Sequence, residues 1–224
     1  MMSDYNREQY TAFDLVRRHC KDLMALNRNG HISSSLEDYL QFRRAVDRFL
    51  QDHFSSTCHE ACYRNRLSAC CSREGIISFF ADVVVNALHS PPQKIDYILD
   101  VLQNPGSIEK CVYLGENGCL WRIKPIVCTM FLCDRAQDAV FGRNPDLRHQ
   151  WEEFQVLKKR FTWPDRPVLF DDLESVFIEG GYSSPLMYLH NSPGLLRLKK
   201  TNGIISAGLG KYSNRSGKEK ASRR

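Results

Sequence analysis

Along most of the chain, apolar positions recur at about the 3.6-residue period of a helix and do not alternate as they would in a strand. Residues 4 to 27 place Tyr10, Phe13, Leu15, Val16, Cys20, Leu23, Met24 and Leu26 close to that spacing. Asn29-Gly30 then ends the run as a helix C-terminus should. Ser34-Ser35-Leu36-Glu37 reads as a capping box opening a second helix through about Phe54, with Leu36, Tyr39, Leu40, Phe42, Val46, Phe49 and Leu50 on its inner face. The two helices are expected to pair as an antiparallel hairpin, their apolar stripes turned to a core and not to a partner groove.

Further on, Val83-Val84-Val85 could mark a strand, but Ser78 as N-cap and the continuation to Leu88 favour a buried helix. Pro91-Pro92 breaks the chain, and Lys94 to Gln103 forms another helix (Ile95, Ile98, Leu99, Leu102) ended by Asn104-Pro105-Gly106. Helices are also predicted from Asp134 onward and over Asp146 to Phe161, the latter with Leu147, Trp151, Phe154 and Leu157 on one face and Trp163-Pro164 as its stop. Phe170 to Glu179 is the last, before Gly180-Gly181, and the rest to Lys200 is short and proline-punctuated. There are no repeats and no heptads. The expected fold is mainly α: a helical domain around irregular, loop-borne cysteine clusters, with metal in place of a regular core between them. Its parts are a helical hairpin over 1–57, a cysteine region over 58–135, a C-terminal helical part over 136–205 packed on the same domain, and a basic flexible tail over 206–224.

Composition narrows the setting. A chain of 224 residues can bury about 70% of its extended surface as one domain. No apolar run reaches the ~18 residues of a membrane span, and Met1 to Gln9 is polar, without the apolar stretch of a secretory signal. A cytoplasmic protein without a membrane partner is expected. Nine cysteines in a reducing compartment then read as thiols or metal ligands, not as disulfides. The net charge of +5 lies entirely in the tail from Lys211, which has few apolar residues to bury and is expected to be unfolded. Such a tail is either a solvated end or an attraction for a nucleic-acid phosphate backbone.

The chemistry sits in two stretches. Cys111, Cys119, Cys128 and Cys133 are separated by seven, eight and four residues, with a Gly-containing turn, the Lys124-Pro125 bend and large apolar residues between them. Upstream run Cys58-His59-Glu60-Ala61-Cys62 and, eight positions on, Cys70-Cys71. Adjacent cysteines are poor disulfide partners because a vicinal ring strains the peptide bond between them. As thiolates they can address two corners of one site or two metals. Arg64, Arg66, Arg73, Arg122 and Lys124 are interleaved among the cysteines, where they would lower thiol pKa values and offset the charge of a tetrathiolate centre. Cys20 lies on the apolar stripe of the first helix and reads as core. His59 could stand in for a cysteine ligand but has no i, i+3 or i+4 partner, and the other histidines are scattered. Glu152-Glu153 and Asp171-Asp172 look like solvated helix charges. Gly208-Leu209-Gly210-Lys211 lacks the earlier Gly and the Ser/Thr of a phosphate loop, and no nucleotide or hydrolase motif is present. The alternating aromatic and basic pattern of a single-strand nucleic-acid platform is also missing.

These residues resemble the YkgJ-type cysteine-cluster family, a zinc- or iron-chelating domain. In that family a cysteine group ending in Cys-Cys precedes a C-x-x-L…G-x-C…R-P-x-x-C-x-x-[FY]-x-C stretch. This chain has Cys70-Cys71, then Cys111-Val112-Tyr113-Leu114, Gly118-Cys119 and Lys124-Pro125-Ile126-Val127-Cys128-Thr129-Met130-Phe131-Leu132-Cys133. The resemblance spans roughly residues 58 to 134, about a third of the chain. Lys124 replaces the family's Arg, and the first group, with Cys58 and Cys62, is stretched. What the resemblance implies is metal chelation without a reaction. The candidate ligands are Cys58, Cys62, Cys70, Cys71, Cys111, Cys119, Cys128 and Cys133, enough for two four-thiolate sites. Zinc and iron, including an iron–sulfur cluster, both suit such donors. The favoured reading is a non-enzymatic metal-binding protein with a structural or interaction role toward an unidentified protein. The alternative is an iron–sulfur redox protein or a component of a protein-modifying, methylation-type reaction, since some relatives of the family are linked to lysine methylation. This chain shows no methyl-donor motif.

Overall fold

A computed structural model of the chain describes residues 2–26, 30–60, 77–105, 111–116, 118–162 and 168–189. Cys62, Cys70, Cys71, Trp163-Pro164, the segment after Leu189 and the basic tail lie outside the described residues. Those described form eight α-helices, one short β-hairpin and a terminal 3-10 turn. The chain begins with α1 (Asp4–Leu26) and α2 (Gly30–Cys58), followed by α3 (Phe80–Leu88) and α4 (Pro92–Gln103). The strands β1 (Leu114–Gly115) and β2 (Gly118–Cys119) and the one-turn helix α5 (Ile126–Thr129) make up the second cysteine stretch. It leads into α6 (Asp134–Phe141), α7 (Pro145–Thr162), α8 (Leu169–Glu179) and the 3-10 turn Pro185–Leu189. The mainly helical expectation therefore holds, and no helix among the described residues is long and apolar enough to cross a membrane.

The two N-terminal helices turn their apolar faces to different partners. α1 packs chiefly on α4 and α3, whereas α2 packs on α6, α8 and α7. Aromatic rings mark the second set: Phe42 stacks on Phe161 at 5.5 Å, Phe49 on Trp151 at 5.8 Å, and Phe54 meets Phe141 edge-on at 5.3 Å. Such pairs stabilise beyond the area they bury. α2 starts at Gly30, one turn before the expected capping box, because burying Ile32 draws the first turn into the helix. Glu37 is not used as a cap; its carboxylate pairs with Arg44 at 2.8 Å on the exposed face.

α3 settles the choice between strand and helix. Phe80 to Asn86 are all buried, so the helix is enclosed on every side and its three valines need no polar face. Ser78 is not its N-cap. Phe79 holds that position, and Asp82 reaches back to accept the Phe79 N–H at 3.0 Å. Ser78 instead donates its hydroxyl to Gln9 Oε1 at 2.8 Å.

The second cysteine stretch has its own core. Val112, Tyr113, Trp121, Ile126 and Met130 are buried with the helices, and Trp121 packs edge-on against Phe13 at 4.9 Å and Tyr113 at 5.4 Å. The expectation that metal replaces a core here is corrected by these side chains, which are large and apolar enough to bury themselves.

Candidate metal centre

The four C-terminal cysteines are spread over successive small elements. Cys111 precedes β1, Cys119 ends β2, Cys128 lies in α5, and Cys133 is the N-cap of α6. The hairpin pairs Leu114 with Cys119 and Gly115 with Gly118, and Leu120 N–H donates to the Tyr113 carbonyl at 2.8 Å. Gly118 has φ +103°, a conformation that a side chain would strain, so glycine is what lets the chain reverse just before Cys119.

After the hairpin the loop is held by side chains from the helical frame. Asn86 Oδ1 accepts the N–H groups of Arg122 at 2.9 Å and Ile123 at 3.0 Å. Asp82, one turn earlier on α3, accepts the Ile126 N–H at 3.0 Å. Arg43 reaches in from α2 and donates to the Lys124 carbonyl at 2.8 Å, Thr129 Oγ1 at 2.5 Å and the Tyr39 hydroxyl at 2.9 Å. Arg43 is 3% exposed and Asp82 2% exposed. Buried groups of this kind stay charged only where bonds and countercharge replace water, and the two lie within each other's field. Between them they fix both sides of the Pro125 bend that leads into Cys128. On the other side of the hairpin, Tyr113 donates to Gln9 Oε1 at 2.9 Å, tying the Cys111 strand to α1.

The sulfurs of Cys111, Cys119, Cys128 and Cys133 carry no disulfide. Cys111 is 7% exposed, and burial, with the charges of Cys119 and Cys128 adding to it, pushes its thiol up to about 12. Cys119 is half-buried and raised by burial, with Lys124 and Lys94 opposing the shift. Cys111, Cys119 and Cys128 thus share one electrostatic neighbourhood. Among the described residues no three Cys, His, Asp or Glu side chains converge into a ligand shell. Cys58 is exposed at the end of α2, and Cys62, Cys70 and Cys71 lie outside the described residues. The donor chemistry suits a soft or borderline metal: thiols with lysines beside one of them.

The remaining candidates fall elsewhere. Cys20 is buried in α1 and burial pushes its thiol up to about 12, as for a core residue. His59 is exposed beside Cys58, lining an open cleft of about 410 Å³ with Ser55, Ser56 and Glu60. His31 faces Asp172 and His149 faces Glu153, both at 3.6 Å, and His19 stacks on Tyr182. Asp171 corrects the expectation of a solvated helix charge: it is buried and accepts the Val168 N–H at 3.3 Å to cap α8. The motif search missed Arg43, Asp82, Asn86 and Gln9. A signal was present, because Asp82 and Asn86 stand one turn apart within an apolar run, and Arg43 one turn after Tyr39 on the inner face of α2. No family model matches the chain, and no curated protein or solved structure is significantly similar to it.

Proposed function

We propose that this protein binds zinc or iron through thiolates of its two cysteine groups and serves a structural or interaction role. The observation that carries the reading is the placement of Cys111, Cys119 and Cys128 in one electrostatic neighbourhood on a segment fixed by buried Arg43, Asp82 and Asn86. A flexible surface loop would not need two buried ionic groups and an amide to set its backbone. Cys111, Cys119, Cys128 and Cys133 would supply part of the ligand shell, and Cys58, Cys62, Cys70 and Cys71 would complete it as one site or two. When bound, a tetrathiolate zinc crosslinks its loops, and an iron–sulfur cluster would add electron transfer.

The test is purification without oxygen, followed by metal and acid-labile sulfide analysis of the wild type and two variants. Stoichiometric metal is expected in the wild type and in Cys20→Ser, and its loss in Cys128→Ser. Zinc without colour supports a structural site, whereas a brown protein with iron and sulfide moves the reading to an iron–sulfur centre. Equal retention in both variants, or a metal-free wild type, would sink the proposal.

A further inference from the structure

Where α2 and α7 meet, their outer edges leave a groove of about 410 Å³. Asp38, Phe42 and Ala45, at i, i+4 and i+7 on α2, form one wall, and Leu157, Arg160 and Phe161, at i, i+3 and i+4 on α7, form the other. The floor is aromatic: Phe42 and Phe161 are both buried and stack at 5.5 Å. Ala45 is exposed, and its small side chain leaves the floor open. Val156 stands one turn before Arg160, on the same side of α7, and is 66% exposed. Asp38 and Arg160 are exposed as well. On other helix faces Arg7, Arg17, Arg18 and Arg44 each hold a carboxylate. Asp38 and Arg160 make no ion pair among the described residues. One acid and one arginine give the walls no net charge, so the groove selects neither a polyanion nor an acidic peptide. A fitting partner brings an apolar side chain accompanied by one cation and one anion. The same patch on a second copy of this chain carries that set, in Val156, Arg160 and Asp38.

We infer that the α2–α7 groove is a self-association surface, on which two copies of the chain meet about a twofold axis. In a twofold contact one patch must complement itself, so that residue i meets residue j and j meets i. Here Asp38 of each copy faces Arg160 of the other, and Val156 of each enters the other's groove. An apolar centre with a charged rim is the ordinary anatomy of a protein interface. A patch of this size makes a weak and reversible dimer, not an obligate one. None of the cysteines takes part, so the inference stands or falls apart from the metal-binding reading.

The experiment is sedimentation equilibrium of the full-length chain over a range of concentrations, with reductant present so that no disulfide links two copies. Wild type, Asp38→Arg, Arg160→Asp and an equimolar mixture of the two variants are compared. The wild type is expected to show a monomer–dimer equilibrium. Each variant alone sets like charges opposite one another in two places, and should dimerise at least about tenfold more weakly. In the mixture position 38 of one chain meets position 160 of the other, so both contacts again join an acid to an arginine. Association should then return close to the wild-type level. Val156→Asp, which puts a charge at the apolar centre, should weaken association as well. A wild type that stays monomeric at every concentration overturns the inference, and so covers the case in which another part of the chain fills the groove. Dimers that either single reversal leaves unchanged, or that the mixture does not restore, overturn it by placing the contact elsewhere.

Discussion

At the scale of single residues, the stability of the cysteine segment turns on Asp82. Its carboxylate caps α3 with one oxygen and holds the Ile126 N–H with the other. Burial raises its pKa from the ordinary 3.8 to about 6, against the opposing pull of the Phe79 and Ile126 amides and Arg43. The folded state therefore binds the Asp82 proton more tightly than the unfolded chain does. By linkage, the corresponding stability is fully present below about pH 4 and is lost as pH rises through about 6. Urea unfolding of the wild type and Asp82→Asn between pH 4 and 7 is expected to show this fall in the wild type and a flatter profile in the variant. The variant should also be less stable overall, because an amide offers one acceptor oxygen where two are used. Parallel pH profiles would mean that Asp82 titrates alike in both states. Cysteine spacing drew attention to the right segment. The acid and the arginine that set its backbone show in the sequence only as polar positions on apolar faces; their partners are peptide groups more than forty positions away, which no local pattern encodes.

At the scale of elements, the described helices other than the one-turn α5 were legible to within a turn, most of them from an apolar face that repeats at helical spacing. The ends were less so. Side-chain caps were expected at Ser34 and Ser78, but burial of Ile32 and the Ser78 bond to Gln9 set the starts of α2 and α3 instead. A residue able to cap is also able to do something else, and tertiary contacts decide which. The hairpin before Cys119 was read only as a Gly-containing turn; its geometry separates two glycines that look equivalent in sequence. Gly118 has φ +103°, so Gly118→Ala is expected to destabilise by about 1–2 kcal/mol through backbone strain. A Cβ at Gly115 would meet the flexible end of Leu120 at 3.2 Å, and the backbone there is ordinary. Gly115→Ala should therefore be milder. Chemical denaturation ranks the two, and a larger loss at Gly115 would show that packing, not backbone conformation, governs the turn.

At the scale of the whole molecule, the question is whether the fold would depend on the proposed metal. Small zinc modules do, because a few loops with little apolar surface have no other source of stability, and chelators unfold them. This chain differs in kind. Among the described residues, one core cluster takes in side chains from α1 to the 3-10 turn and includes Val112, Tyr113, Trp121, Ile126 and Met130 of the cysteine segment. The same segment is tied to α2 and α3 by hydrogen bonds that involve no sulfur. A metal that binds only the native state adds stability by mass action on top of that frame, and its removal subtracts only that increment. Chelation of the reduced protein at 25 °C is thus expected to lower its melting temperature while leaving the far-ultraviolet helical signal largely intact. Restoring the ion should return the higher melting temperature, rising with the logarithm of its free concentration above Kd. Loss of most helical signal on chelation would mean that thiolate bonds, and not the aromatic core between α2 and α7, hold the helices together.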